Sequence, residues 1–338
     1  MIQLSKDNLK DYLISKALIQ NQENVSVEEL GGGVSNVVLK VKNQKTSFVV
    51  KQALPKLRVK DEWYSDVDRV FTEANCIRLL SRILHADMTP KVLFEDRENF
   101  LFIMTAAPED AVPWKKKLLE GYVNRTIGAK AGSVLAEIHK KTFNYDLVSK
   151  DFASNRAFIQ LRVEPYHWTT ARRHPDIRLA VESEVRRMLE TKIVLTHGDY
   201  SPKNILVKDN DILLLDFEVA HYGDPAFDLA FCLNHIFLKS IKNYGMRERY
   251  FDLALAFWDA YISSAESQHE ETLMKNTVKE LGCLMLARID GKSPVEYIND
   301  EKTKNMVRRT SKSIILGSQS SLDDVIESID EGLKLLPC

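Results

Sequence analysis

The sequence predicts an α+β protein, in which a small antiparallel sheet carrying one helix precedes a larger, mainly helical region. Three observations lead there. β-like apolar runs lie between residues 26 and 105 and order as β-β-β-α-β-β. Beyond Pro108 the apolar spacing becomes helical. One β-rich island, residues 193–219, interrupts those helices. The expected division is 1–106 and 107–338.

Taken in order, residues 5–19 read as an amphipathic helix with Leu9, Tyr12, Leu13 and Leu18 on one side. VSVEELGGG, NVVLKVK and TSFVVKQA follow as strands, separated by glycines and by Asn43-Gln44. Residues 66–84 regain a helical period through Val70, Ala74, Ile77, Leu80 and Leu84. KVLFED and FLFIMTA make two more strands around Arg97-Glu98-Asn99. Ile127 to His139 is an amphipathic helix. IVLTH then leads into a loop, and ILV and ILLLDF form a hairpin through Lys208-Asp209-Asn210-Asp211. PAFDLAFCLNHIFLKS is apolar on nearly every face, as a buried helix is. Residues 247–265, 271–289, 303–316 and 321–335 are further helices.

Lys+Arg total 47 against 48 Asp+Glu, so the net charge of −1 offers no general attraction to nucleic acid or to an anionic membrane. Cys76, Cys232, Cys283 and Cys338 lie far apart with no CxxC pair, which reads as buried thiols rather than a zinc site or a disulfide framework. The N-terminus lacks an apolar signal region, and no apolar run approaches the ~20 residues of a membrane helix. A cytoplasmic protein is expected.

The chemistry concentrates in Thr196-His197-Gly198-Asp199-Tyr200-Ser201-Pro202-Lys203-Asn204, followed by Leu215-Asp216-Phe217-Glu218. An inter-strand loop offers one carboxylate, Asp199, and an amide, Asn204, five positions later; a second carboxylate, Asp216, ends the next apolar strand. Phosphoryl transfer from a nucleotide uses such parts: a carboxylate takes the proton of an attacking hydroxyl, while a carboxylate and an amide oxygen hold Mg2+ against phosphate oxygens. His197 reads as a residue holding the loop, with acid–base work as the alternative. Upstream, Gly31-Gly32-Gly33-Val34-Ser35-Asn36 is a turn whose backbone can approach phosphates, and it is no Walker A loop because no Gly-Lys-Ser/Thr follows. Lys51 ends an apolar strand and Glu73 sits in the next helix, the order of a phosphate-gripping lysine braced by a glutamate.

HGDYSPKNILV, LLLDFE and Gly223-Asp224-Pro225-Ala226-Phe227-Asp228-Leu229-Ala230 together resemble the aminoglycoside phosphotransferase, choline kinase and methylthioribose kinase superfamily, from about Glu29 to the helix after Pro225. The resemblance implies a bilobal protein-kinase-like fold with an N-terminal nucleotide-binding lobe and a C-terminal catalytic, substrate-binding lobe. It implies ATP and Mg2+ as cofactors, a small-molecule hydroxyl as acceptor, and Asp199 as base. It further implies Asn204 and Asp216 on the metal, Lys51 on the α/β-phosphates, Asp228 anchoring the catalytic loop, and a hinge from Met104 through Thr105 and Ala106 to Ala107 that holds adenine through its backbone. Asp-Phe-Glu stands where protein kinases have Asp-Phe-Gly, so Glu218 is either a further metal ligand or a carboxylate beside the site. No Ala-Pro-Glu segment is present, which disfavours a peptide substrate; a catalytically silent nucleotide-binding module is the other alternative. Two regions are candidates for holding the acceptor: Leu161-Arg162-Val163-Glu164-Pro165-Tyr166-His167-Trp168 with Arg172, Arg173 and His174, and the helices after residue 226; core packing is the competing reading for Tyr166 and Trp168 and a solvated face for the arginines. The acidic residues an aminoglycoside would need, Glu266, Glu270, Glu271, Asp290, Glu296, Asp300 and Glu301, are only as dense as on ordinary surface helices. Aminoglycoside, amino alcohol, sugar and methylthioribose all stay open.

Overall fold

Successive side chains of a strand point to opposite faces, and this period organises the first part of the chain around two layers. In the computed structural model, residues 2–22, 24–31, 33–43, 46–59, 62–265 and 270–336 are described; Gly32, Gln44, Glu266 and Cys338, singled out above, lie outside them. Helix α1 (Leu9–Ser15) precedes strands β1 (Ser26–Glu29), β2 (Asn36–Lys42) and β3 (Ser47–Ala53). Helix α2 (Arg69–Ile83) and strands β4 (Val92–Asp96) and β5 (Leu101–Thr105) follow. The strands form one sheet in the order β1-β2-β3-β5-β4, antiparallel throughout. Val37, Leu39, Val41 and Val50 join Leu9, Tyr12 and Leu13 of α1 in a single core. Val50 faces that core, so Lys51, one residue on, faces the other side of the sheet.

By contact the chain divides into two compact units: the chain up to Asp110 together with Leu215–Val219, and Ala111–Leu214 together with the chain from Ala220 onward. The sequence alone assigns 215–219 to the later region, because it continues an apolar strand there. Its carboxylates, described below, bind residues of the sheet unit instead.

The second unit runs through β6 (Val112–Pro113), α3 (Trp114–Leu119), α4 (Arg125–Thr142) and α5 (Asp146–Asp151). A continuous helical stretch then changes its hydrogen bonding twice: α6 (Arg156–Phe158), a π-helical segment Ile159–Trp168, and α7 (Thr169–Arg173). Pro165 lies inside the π segment, where a residue without an N–H cannot close the usual α bond. After α8 (Arg178–Glu190) come β7 (Val194–Thr196), β8 (Ile205–Lys208), β9 (Asp211–Leu214) and β10 (His221–Gly223). These make two small sheets, β6-β8-β9 and β10-β7. Helix α9 (Pro225–Lys242) is buried from Pro225 to Ile241, as its all-round apolar sequence predicts. Helices α10 (Arg247–Ala265), α11 (Glu270–Asp290), α12 (Glu301–Ile315) and α13 (Leu322–Lys334) complete the unit. Where α4 crosses α10, a Cβ on Gly132 would meet the Phe257 carbonyl oxygen at 2.1 Å, so only glycine lets the backbones approach this closely. Cys76, Cys232 and Cys283 are buried and form no disulfide among the described residues. Among the described residues no helix is long and apolar enough to cross a membrane.

Candidate active site

In the sheet unit, two carboxylates converge on one lysine. The Lys51 ammonium lies 2.6 Å from Glu73 Oε2 and 2.5 Å from Asp216 Oδ1, with Glu73 almost wholly buried. Burial would lower the Lys51 ammonium, but the charges of Asp216, Glu73 and Glu218 outweigh it and hold it above the ordinary lysine range. Burial pushes the Glu73 carboxyl up, against the pull of Lys51. Asp216 has φ +70°, a left-handed conformation that is sparsely populated by non-glycine residues and concentrates at functional positions.

Glu218 is held on both oxygens. Ser35 Oγ donates to Oε1 at 2.7 Å, while Asn36 Nδ2 (2.8 Å) and Arg69 Nε (3.0 Å) donate to Oε2. Arg69, fully buried, also donates to the carbonyls of Ser35, Leu54 and Asp66. Ser35 and Asn36, expected at the nucleotide, therefore bracket the glycine turn to Glu218. Burial and the neighbouring Asp216 act to raise the Glu218 carboxyl, yet Lys51, Arg69 and the Asn36 amide bring it below its ordinary value. Sequence reasoning passed over Arg69. The signal was available, since Arg69 and Glu73 stand four apart and so share one face of α2.

Gly31 and Gly33 are exposed, and a Cβ on either would meet nothing within 4 Å. The turn is thus open on its outer side. Along the expected hinge, the Thr105 N–H donates to Lys91 O at 2.9 Å and the Ala106 N–H to Ser47 O at 3.4 Å, while Met104 is paired within the sheet.

The helical unit holds the other expected parts. Arg162, from the π segment, places Nη2 2.7 Å from Asp199 Oδ2 and donates from Nε to Gly198 O at 3.0 Å. Asn204 Nδ2 donates to Asp199 O at 3.1 Å, which orients the amide with its oxygen as the remaining acceptor. The His197 ring accepts from the Asp199 N–H at 3.2 Å, a loop-holding contact. Gly198, at φ +73°, supplies the bend that a side chain would resist. Asp228 receives the His197 and Gly198 N–H groups at 2.6 and 2.8 Å and the His139 ring at 3.3 Å. Tyr166 is buried against Phe231 and bonded to Arg288, which is core packing. Arg172 pairs with Glu164, Arg173 caps the Asp290 and Gly291 carbonyls, and His174 pairs with Asp290.

Burial acts to raise the Asp228 carboxyl, but His139, His197 and the loop amides outweigh it and bring it below its ordinary value. A depressed folded value contributes stability above the unfolded pKa of ~4 and loses it as pH falls through the folded value. Asp228→Ala should cost about 3 kcal/mol at pH 7, since two buried N–H groups lose their acceptor. Thermal melts between pH 7 and 3 should also show a shallower acid loss than wild type. An unchanged melt would remove Asp228 as the anchor.

Asp216 offers a hard carboxylate oxygen in the sheet unit and Asn204 an amide oxygen in the helical unit, each of a kind that suits Mg2+. Among the described residues no group of three or more His, Cys, Asp or Glu is placed to hold a metal ion.

The model of the family described as "Phosphotransferase enzyme family" matches residues 26–263. The methylthioribose kinase of Yersinia pseudotuberculosis is 26% identical over 242 residues, covering 63% of this chain and 59% of that protein. The chain thus spans less than two thirds of that relative's length. The methylthioribose kinase of Bacillus velezensis is 22% identical over 349 residues, covering 88% of this chain and 86% of that one. Among solved structures, the amicoumacin kinase hAmiN, in complex with AMP-PNP, Ca2+ and Ami, is similar with a TM-score of 0.60 at 14% identity, covering 94% of this chain and 98% of that one. At that identity the likeness is one of fold, and the fold is the protein-kinase-like one.

Proposed function

Because this chain belongs to the phosphotransferase enzyme family, which its residues 26–263 match, we propose that it is an ATP-dependent, Mg2+-requiring kinase that phosphorylates a hydroxyl of a small molecule. The observation carrying this reading is the convergence of Glu73 and Asp216 on the buried Lys51. A lysine fixed between two carboxylates is oriented to grip phosphate oxygens. The sheet unit is then the nucleotide half, with Gly31 and Gly33 over the phosphates and Met104 to Ala106 along the base. The helical unit is the acceptor half.

In this mechanism Arg162 holds Asp199 by Oδ2, which leaves Oδ1 to take the hydroxyl proton as the acceptor oxygen bonds to the γ-phosphorus, the bond from that phosphorus to the β,γ-bridging oxygen breaks and ADP leaves. Lys51 steadies the α/β-phosphates. Asp216 and Asn204 would hold Mg2+, which when bound neutralises charge on the phosphate oxygens. Buried Asp228 keeps the Asp199 loop in shape.

The test is nucleotide consumption, with ATP and with GTP, against amino alcohols, sugars, methylthioribose and aminoglycosides. Turnover with one class and dependence on Mg2+ are expected. Nucleotide binding without turnover on any hydroxyl compound would favour a silent module, and the absence of both would defeat the reading.

Glu218 acts in this scheme as a bracket on the glycine turn, because its two oxygens already serve three donors. Glu218→Gln should leave the Mg2+ concentration for half-maximal rate unchanged. It should lower stability by ~1–3 kcal/mol, since Arg69 stays buried without its counter-charge. A several-fold rise in the Mg2+ requirement would make Glu218 a metal ligand instead.

A further inference from the structure

The helical unit buries positive charge that its own carboxylates do not balance. Lys239 of α9 is fully buried; its ammonium donates to His235 O at 3.0 Å and lies 5.3 Å from the centre of the Tyr297 ring. Arg288 of α11 is 8% exposed, donates from Nη1 to Tyr166 Oη (3.2 Å) and Ser293 Oγ (2.9 Å), and keeps Nε buried without a partner. Tyr297 Oη is likewise buried and unpartnered. Among the described residues neither Lys239 nor Arg288 makes an ion pair, although buried cations ordinarily do. Lys115 and Lys203 act on the same neighbourhood, and Glu296, the carboxylate facing it, is committed to Lys115. Burial, then Lys115 and Arg288, push the Lys239 ammonium down to about 7, and the same surroundings press His235 well below its ordinary value.

A packed path joins this cluster to the expected base. The Arg162 guanidinium, 2.7 Å from Asp199, lies 5.6 Å from the centre of the Phe231 ring. Phe231 contacts His235 at 5.3 Å between centroids and Tyr166 at 5.9 Å, and Tyr166 holds Arg288. One layer of buried aromatic rings, Phe231 and Tyr166, thus lies between the Arg162–Asp199 pair and this cluster.

We propose that Arg288, Lys239 and His235 receive an anionic group, a carboxylate or a phosphate, carried by the same small molecule whose hydroxyl is phosphorylated at Asp199. The inference rests on the kinase reading and narrows its substrate class. An anion would satisfy the orphaned Arg288 Nε and Tyr297 Oη and balance Lys239. An aminoglycoside or a cationic amino alcohol would add like charge to the cluster, which selects against such acceptors.

The test compares acceptors that share a carbon frame: gluconate and glucose 6-phosphate as the two anions, glucose as the neutral member and glucosamine as the cation. Each is measured by ATP consumption and, separately, by equilibrium binding without nucleotide. Wild type should favour at least one anionic member over glucose by roughly tenfold or more in both measurements, as expected when a buried donor would otherwise go unpaired. Which anion wins distinguishes carboxylate from phosphate. Arg288→Gln and the near-isosteric Lys239→Met should each erase that preference; the second variant covers the event that the first fails to fold. Equal or better binding of glucose or glucosamine, or a preference surviving both substitutions, would overturn the proposal. Anion binding that the variants abolish, without turnover of any acceptor, would keep the anion site and defeat the kinase reading. Turnover of glucose with no anion binding would do the reverse, and loss of both signals would defeat both.

Discussion

Asp199→Asn should lower kcat by ~10²–10⁴-fold while the affinity for ATP stays near wild type. Asparagine keeps the shape of the side chain and still offers Arg162 an oxygen where Asp199 Oδ2 now sits, 2.7 Å from the guanidinium. What is lost is the capacity to accept a proton. The Asn204 and His197 contacts run to the Asp199 backbone, so they survive the change. Steady-state kinetics with both substrates varied checks this. A kcat within about tenfold of wild type would remove Asp199 as an essential base.

Asp216→Asn should cost on the order of 10²-fold or more in kcat/KM for ATP, because several kcal/mol of charge stabilisation leave the phosphates with the metal. Asparagine suits this test better than alanine. It tolerates the left-handed backbone at φ +70°, so a loss of rate reports lost charge rather than strain. Lys51 keeps Glu73 at 2.6 Å in the variant and stays in place. Titration of Mg2+ and ATP together should show binding weakened in parallel with turnover. Unchanged binding would take Asp216 off the metal.

Much of the fold is written in local period. The alternation in NVVLKVK and SFVVKQA, the apolar stripe of α2 and the all-round apolar face of α9 each need only neighbouring residues to be read. Strand β10 escapes that reading because its three residues, His221 to Gly223, are too short to show a period. The π segment escapes it because period marks a helix but not which carbonyl each N–H reaches, and the chain widens its hydrogen bonding there and continues through Pro165. At the candidate site, the order glycine turn, Lys51, Glu73 is legible along the chain. The bond from Lys51 to Asp216 spans 165 positions and follows from no local pattern. Arg162 is the clearest case: the sequence places it in a segment that could hold the acceptor, and only the tertiary structure brings it to Asp199.

The grouping of Leu215–Val219 with the sheet unit has a consequence for how the chain comes to be folded. A polypeptide ending at Asp110 would contain Lys51 and Arg69 but neither Asp216 nor Glu218. Removing one partner of a buried ion pair costs ~3–5 kcal/mol, comparable with the whole ~5–15 kcal/mol that holds a small domain together. The first 110 residues alone are therefore expected to be less stable than the complete sheet unit, Arg69 lacking Glu218 while Lys51 keeps Glu73. During synthesis the nascent sheet must wait, incomplete, while a further hundred residues emerge from the ribosome before the strip that neutralises its interior arrives.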